Sequence, residues 1–145
     1  MLVEAYQGKA VLLTGGTGFL GTALVEKMLR SLPSLGRLYL LIRPSREKGA
    51  KERFEKNVLG SDAFSRLREE LGSSFEERVA EKVHVLEGDV HADSLGLGEE
   101  DLVELSREVD AVIHSAASGV FDAPLGAAVD SNVRGSLGLL PLARE

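Results

Sequence analysis

Residues Thr14 to Gly21 read TGGTGFLG, and half of them are glycine. Glycine loses more conformational freedom on folding than any other residue, so a glycine cluster inside apolar sequence must answer a steric need. The run before it, residues 10–14 (AVLLT), is short and apolar and predicts a buried strand. From Phe19 to about Leu32 the spacing turns helical. Leu20, Ala23, Leu24 and Met28 are expected on its apolar face, with Glu26, Lys27 and Arg30 off it. Pro33 and Gly36 end it. Residues 38–42 (LYLLI) form a second apolar run. Strand, helix and strand with short connections make a βαβ unit, whose strands must be parallel.

The remainder extends that pattern. Residues 45–82 are charge-rich and read as helices: one over 46–58, one over 62–71 with Ser61 as N-cap and Gly72 past its end, and a short third one opened by a Ser74/Glu77 capping box. Their mixed charges read as a solvated face. Residues 83–86 (VHVL) predict a third strand that closes at Glu87-Gly88-Asp89. Residues 99–107 predict a helix, and 111–114 (AVIH) a fourth strand followed by the small residues Ser115, Ala116 and Ala117. From about Ala123 to Arg144 the sequence is helical again. The class is α/β. The expected architecture is a partial Rossmann-type doubly wound parallel sheet in spatial order 3-2-1-4, with helices on both faces.

Bulk properties narrow the function. A chain of 145 residues suits one domain. Its net charge of −6 argues against nonspecific nucleic-acid binding, which needs a cationic surface. Cysteine is absent, so disulfides and thiolate metal sites are excluded. His84 and His91 are scattered and suggest no metal site. No apolar run approaches the length that spans a bilayer, and MLVEAYQGK lacks the pattern of a signal peptide. A cytoplasmic protein is expected.

The glycines now acquire a chemical meaning. Gly16-x-Gly18-x-x-Gly21 follows a strand and opens a helix, the context of the dinucleotide fingerprint. Gly15 and Gly16 allow the tight turn, Gly18 lets a pyrophosphate approach the main chain, and Gly21 lets the helix pack on the strand. The pyrophosphate would meet free N–H groups at a positive helix end. A P-loop is excluded, because Thr22 and Ala23 follow Gly21 where Lys-Ser/Thr is required. An NAD site needs an acid at the end of the second strand, yet no acidic residue occurs from Lys27 to Arg46. Arg43 stands there instead, with Arg46 close by. A guanidinium there pairs with a 2′-phosphate, which favours NADP(H). After the third strand, Asp89 is placed either to accept from the adenine amino group or to cap a turn, and Val90 to pack on the ring. The small Ala116 and Ala117 leave room for the cofactor ribose or for close helix packing. His114 ends a buried strand and reads as structural, since one histidine without an orienting partner is weak evidence for acid–base chemistry.

With those residues placed, the chain resembles the extended short-chain dehydrogenase/reductases. More narrowly it resembles the NAD-binding domain of fatty acyl-CoA reductases and the thioester reductase domains of carboxylic acid reductases. The matching stretches are VLLTGGTGFLG (11–21), LYLLIRP (38–44), the charged insert with Phe54, VHVLEGDV (83–90), LGL followed by EEDL (95–102), AVIHSAA (111–117) with Phe121, and SNVRGSLGLL (131–140). The resemblance implies that Thr17, Gly18, Phe19 and Leu20 line the pyrophosphate turn, that Arg43 meets the 2′-phosphate, that Asp89 and Val90 hold adenine, and that Ala116 and Ala117 lie at the ribose. It implies that Asn132 supports a catalytic lysine. It also implies an acyl-CoA or other acyl thioester as substrate.

The departures matter as much. The resemblance implies a catalytic Tyr-x-x-x-Lys after a fifth strand. The tyrosines here are Tyr6 and Tyr39, followed four residues on by Ala10 and Arg43. The chain is therefore expected to be the N-terminal part (1–145) of a single NADP-binding domain, with a charged helical insert at about 45–82, and inactive on its own. A non-catalytic NADP(H)-binding module stays open as an alternative. So does a sugar-nucleotide epimerase or dehydratase, although the long insert speaks against it. The fourth strand's outer edge should be unpaired, so self-association through it is expected.

Overall fold

The computed structural model describes residues 2–120 and 122–143. Phe121, Arg144 and Glu145, which belong to the stretches read above, lie outside the described residues. A short helix α1 (Leu2–Ala5) precedes strand β1 (Ala10–Thr14), helix α2 (Phe19–Ser31) and strand β2 (Arg37–Ile42). The insert follows as α3 (Ala50–Arg53), which runs on as π-helix over Phe54–Leu59, then α4 (Ser65–Leu71) and α5 (Phe75–Lys82). Strand β3 (Val83–Glu87), α6 (Glu99–Glu108) and β4 (Val109–His114) complete the sheet. Beyond it come α7 (Leu125–Val129), a π-helical stretch Asp130–Arg134, and α8 (Gly135–Leu137). All strand pairs are parallel, in the order β3-β2-β1-β4. The expected topology is thus the observed one, and among the described residues β3 and β4 form the two edges.

The sheet has a core on each face, which is why its central strands read as unbroken apolar runs. Val11, Leu13, Leu38, Leu40 and Ile42 face α2 and the insert, meeting Val25, Met28, Leu29, Phe54, Phe64 and Phe75. Ala10, Leu12, Tyr39 and Leu41 face the other way, toward Leu86, Val90, Leu95, Leu105 and Leu139. The alternation follows the two-residue period of a strand.

Three local expectations need correction. The buried face of α2 is Gly21, Thr22, Val25, Glu26, Met28 and Leu29, not the stripe through Leu20 and Ala23. The glycine decides it. A Cβ on Gly21 would lie 2.0 Å from the Gly15 carbonyl oxygen, so that side of the helix must press against the turn and Leu20 swings outward. Glu26 goes down with it, held by Arg30 at 2.6 Å. Next, α3 starts at Ala50 rather than at residue 46, because Ser45 and Lys48 close a turn of their own. The helix start is then capped from across the fold: the Ala50 N–H donates to Glu87 Oε2 at 2.8 Å. Finally, Ser61 caps its helix as expected, accepting from the Ala63 N–H, but Ser74 does not. A 3-10 turn over Gly72–Ser74 leads straight into α5 and leaves Ser74 at φ −85° and ψ 0°, outside the extended geometry that an N-cap needs.

Candidate functional site

Parallel pairing brings Thr14, Ile42, Glu87 and His114 to one end of the sheet. Open α/β sheets bind ligands outside the carboxyl ends of their strands, where the strand order reverses. Here the chain steps outward from β1 through β2 to β3 and then crosses back to place β4 on the other side of β1. A cleft of about 470 Å³ opens at that place. Its walls include Gly15, Thr17 and Gly18 from the first turn, Arg43 from the end of β2, Asp89 and Val90 after β3, and Ala116 and Ala117 after β4. Phe19, Leu20, Gly21 and Asn132 are not among its lining residues.

The glycines of the turn do different work. Gly15 has φ +73°, a left-handed conformation, and a Cβ there would sit 2.5 Å from the Ser115 carbonyl carbon. Gly21 seats the helix, as above. Gly18 is different: its nearest neighbour would be 3.4 Å away, so the fold itself does not need that side chain missing. Gly18 is extended and gives α2 no side-chain cap. The first N–H groups of a helix have no partner inside it, so those of Phe19, Leu20 and Gly21 point toward the turn's mouth. Phe19 is 97% exposed and Leu20 60%, and neither side chain lines the cleft.

On the β2/β3 side the cleft is charged. Arg43 extends its guanidinium to the cleft with its side chain 65% exposed, 3.7 Å from Asp89 Oδ2. Asp89 Oδ1 accepts from the His91 main-chain N–H at 3.0 Å and meets its ring Nδ1 at 2.7 Å. The turn-capping role left open for Asp89 is therefore made. Burial pushes the Asp89 carboxyl up, but the two hydrogen bonds from His91 and the charges of His91 and Arg43 outweigh it and hold it below its ordinary value. Sequence reasoning missed Arg53. It sat in what read as a solvated helix face, yet it lines the cleft and its Nη1 donates to the Arg43 carbonyl. Only knowing that α3 begins at Ala50 would have placed it there.

On the β4 side, His114 Nδ1 lies 2.6 Å from Oγ1 of the buried Thr14, which ties β4 to β1 at the cleft floor. Burial pushes the His114 imidazole below its ordinary pKa. Asn132 bonds the backbone of Ser118 in the loop after β4, so it holds the cleft wall without lining it. Ser118 itself gave no signal in the sequence. Tyr39 is fully buried, and its hydroxyl meets Glu104 at 2.7 Å, Glu108 at 3.0 Å and Arg37 at 3.1 Å, near the opposite end of the sheet. Burial raises its pKa further above the ordinary phenol value. No group of three metal-binding side chains occurs among the described residues. No helix among them is long and apolar enough to cross a membrane.

Known proteins match this chain over nearly its whole length. The family of NAD-binding domains described as male sterility protein matches residues 13–145. The chain belongs to this family. It is 35% identical to the chloroplastic fatty acyl-CoA reductase 2 of Arabidopsis thaliana, over 99% of this chain and 23% of that protein. It is 40% identical to an alcohol-forming fatty acyl-CoA reductase of Simmondsia chinensis, over 81% of this chain and 24% of that one. Among solved structures, the terminal R domain of the myxalamid PKS-NRPS pathway superposes with a TM-score of 0.72 at 31% identity, over 93% of this chain and 31% of that one. The reductase domain of a non-ribosomal peptide synthetase from Mycobacterium tuberculosis gives 0.70 at 35%, over 93% and 30%. The chain thus spans 23% to 31% of the length of these relatives.

Proposed function

We propose that this chain is the nucleotide-binding part of an NADPH-dependent reductase of acyl thioesters, with fatty acyl-CoA as substrate. The observation that carries the choice of cofactor is Arg43. It faces the cleft from the end of β2, where an NAD site needs a carboxylate, and no acid occurs from Lys27 to Arg46. Arg53 supports the same reading as a second guanidinium on the same wall. The room left in front of Gly18 fits a pyrophosphate, held by the main-chain N–H groups that open α2. In this reading Arg43 and Arg53 take the 2′-phosphate, Asp89 and Val90 the adenine, and Ala116 and Ala117 the ribose on the nicotinamide side.

NADPH, when bound, would supply a hydride to the thioester carbonyl, which yields an aldehyde as the C–S bond breaks and the departing thiolate takes up a proton from solvent. The residues described here bind and orient the nucleotide. Asn132 fixes the loop that carries its ribose end. Neither Tyr6 nor Tyr39 is a proton donor for the cleft: Tyr39 is buried and engaged elsewhere, and Tyr6 lies before β1. These 145 residues are expected to bind cofactor without reducing substrate.

Calorimetry with NADPH and NADH tests the reading. NADPH should bind with a Kd on the order of micromolar, NADH much more weakly, and Arg43→Glu should erase the difference. A folded sample that binds neither nucleotide sinks the proposal. The unpaired outer edge of β4 supports a second, physical proposal: the isolated chain self-associates through that edge. Sedimentation as a monodisperse monomer would count against it.

A further inference from the structure

Asp89 stands between two cationic or donor groups and is committed to one of them. Oδ1 accepts from the His91 backbone at 3.0 Å and lies 2.7 Å from the ring Nδ1. Oδ2 faces Arg43 Nη1 at 3.7 Å, beyond hydrogen-bond reach. A free carboxylate beside a guanidinium would close on it with two parallel hydrogen bonds, the strongest geometry the pair has. Arg43 carries no such bond here. Its nearest acid is held back by one oxygen, and its guanidinium stays turned to the cleft. The imidazole is itself seated: it lines the cleft, and a Cβ on Gly135 of α8 would stand 3.6 Å from Nε2. The ionisable groups around this corner are Asp89 on its own loop, Arg43 from the end of β2, and His114 from the end of β4, which feels the charge of His91.

The geometry points to His91 as a positioning residue for cofactor selectivity: by holding Asp89 through Nδ1–H it keeps Arg43 available to the 2′-phosphate. The inference rests on the NADPH reading above. It assigns His91 no contact with the cofactor. Its effect passes through Asp89 to Arg43, so it should appear in the discrimination between the two nucleotides and not in nucleotide binding as such. Without the imidazole, Oδ1 keeps only the main-chain N–H of residue 91, and the carboxylate can turn to close on Arg43. The guanidinium would then be neutralised before any phosphate arrives.

The experiment measures NADPH and NADH affinity by calorimetry for the unaltered chain, His91→Ala, His91→Asn, and His91→Ala combined with Asp89→Ala. His91→Ala should weaken NADPH about tenfold, the scale of one charge-assisted contact, and move NADH far less. His91→Asn places an N–H donor near the position of Nδ1 and should restore the preference. Removing Asp89 as well should lower both affinities with the adenine contact but restore the NADPH-to-NADH ratio, because nothing is left to capture Arg43. An unchanged NADPH-to-NADH ratio in His91→Ala overturns the inference, whether or not both affinities fall together. Failure of the double variant to recover the preference overturns it too, and serves if His91→Ala alone does not fold. Absence of NADPH binding by the folded, unaltered chain overturns the cofactor reading first, and this inference with it.

Discussion

The side-chain amide of Asn132 and the backbone of Ser118 close a reciprocal pair of hydrogen bonds. The Ser118 N–H donates to Asn132 Oδ1 at 2.9 Å, and Asn132 Nδ2 donates to the Ser118 carbonyl at 3.4 Å. One exposed side chain thereby fastens the loop that leaves β4 to the helical run that follows it. Asn132→Ala removes both bonds, a loss of about 1 kcal/mol each at most. Alanine returns roughly 0.5 kcal/mol as the better helix former, so global stability should fall by no more than about 1.5 kcal/mol. The loop should change more. Hydrogen exchange at the Ser118 amide is expected to speed up severalfold while the β1 amides keep their protection. Equal protection in the variant would mean that the pair does not hold the loop.

Gly18 and Gly21 should separate folding from binding. A Cβ at Gly21 would stand 2.0 Å from the Gly15 carbonyl oxygen, in contact with backbone that cannot move aside without opening the turn. Gly21→Ala should therefore cost about 3 kcal/mol or more, beyond the usual range for overpacking by one methyl. At Gly18 the nearest atom is 3.4 Å away. Gly18→Ala should leave the melting temperature within a few degrees and still abolish nucleotide binding, because its methyl would project where the pyrophosphate approaches. Unimpaired NADPH binding by Gly18→Ala would remove the pyrophosphate from this turn.

The turn after β3 carries strain that can be relieved. Ser94 (φ 52°) and Leu95 (φ 58°) are both left-handed without being glycine, and Gly96 (φ 68°) continues the run. Leu95 is 2% exposed and packs in the second core, and its carbonyl accepts from the Asp89 N–H at 2.8 Å. The burial of Leu95 holds the strained turn, and the turn sets the backbone of Asp89. Ser94 is exposed, so it bears the left-handed cost of about 1–2 kcal/mol without such compensation. Ser94→Gly removes that cost and adds about 0.5–1 kcal/mol of unfolded-state entropy, leaving a net gain of about 0.5 kcal/mol. The midpoint of thermal unfolding should rise by about 2 °C. A lowered midpoint would show that the serine side chain has a role of its own in the turn.

Much of this was legible because it is local. The apolar runs of β1 and β2 and the glycines between them carry their own steric reasons, and the βαβ order then leaves little choice of topology. The cleft residues Arg43, Asp89 and Ala116 could be found because each stands within two residues of a strand's end. What escaped depends on partners far along the chain. Glu87 caps α3 from 37 residues away, so the true start of that helix, and with it the approach of Arg53 to the cleft, could not be read from the insert. The buried face of α2 is set by the contact of Gly21 with Gly15, which outweighs the apolar count that favoured Leu20. Asn132 could be recognised as significant only through the resemblance; its clamp on Ser118 depends on a loop whose path the sequence does not declare.

The link between Thr14 and His114 gives the chain a calculable response to acid. Nδ1 and Oγ1 are 2.6 Å apart at the cleft floor, and burial lowers the folded-state pKa of His114 below the ordinary imidazole value of about 6.5. A neutral imidazole is therefore the form that the fold accommodates. Above pH of about 6.5 neither state binds the proton, and this contribution to stability is complete. As the pH falls through that value the unfolded chain takes up the proton first, so stability declines until the folded His114 is protonated as well. Urea unfolding at pH 5.5 and 7.5 should show lower stability at the acid value, with a smaller difference in His114→Gln, which keeps a polar partner for Thr14 and cannot titrate. The difference should persist in Thr14→Val, because burial rather than the hydroxyl depresses the pKa. If His114→Gln shows the same dependence as the unaltered chain, then the acid sensitivity belongs to other groups and His114 is not held neutral by its burial.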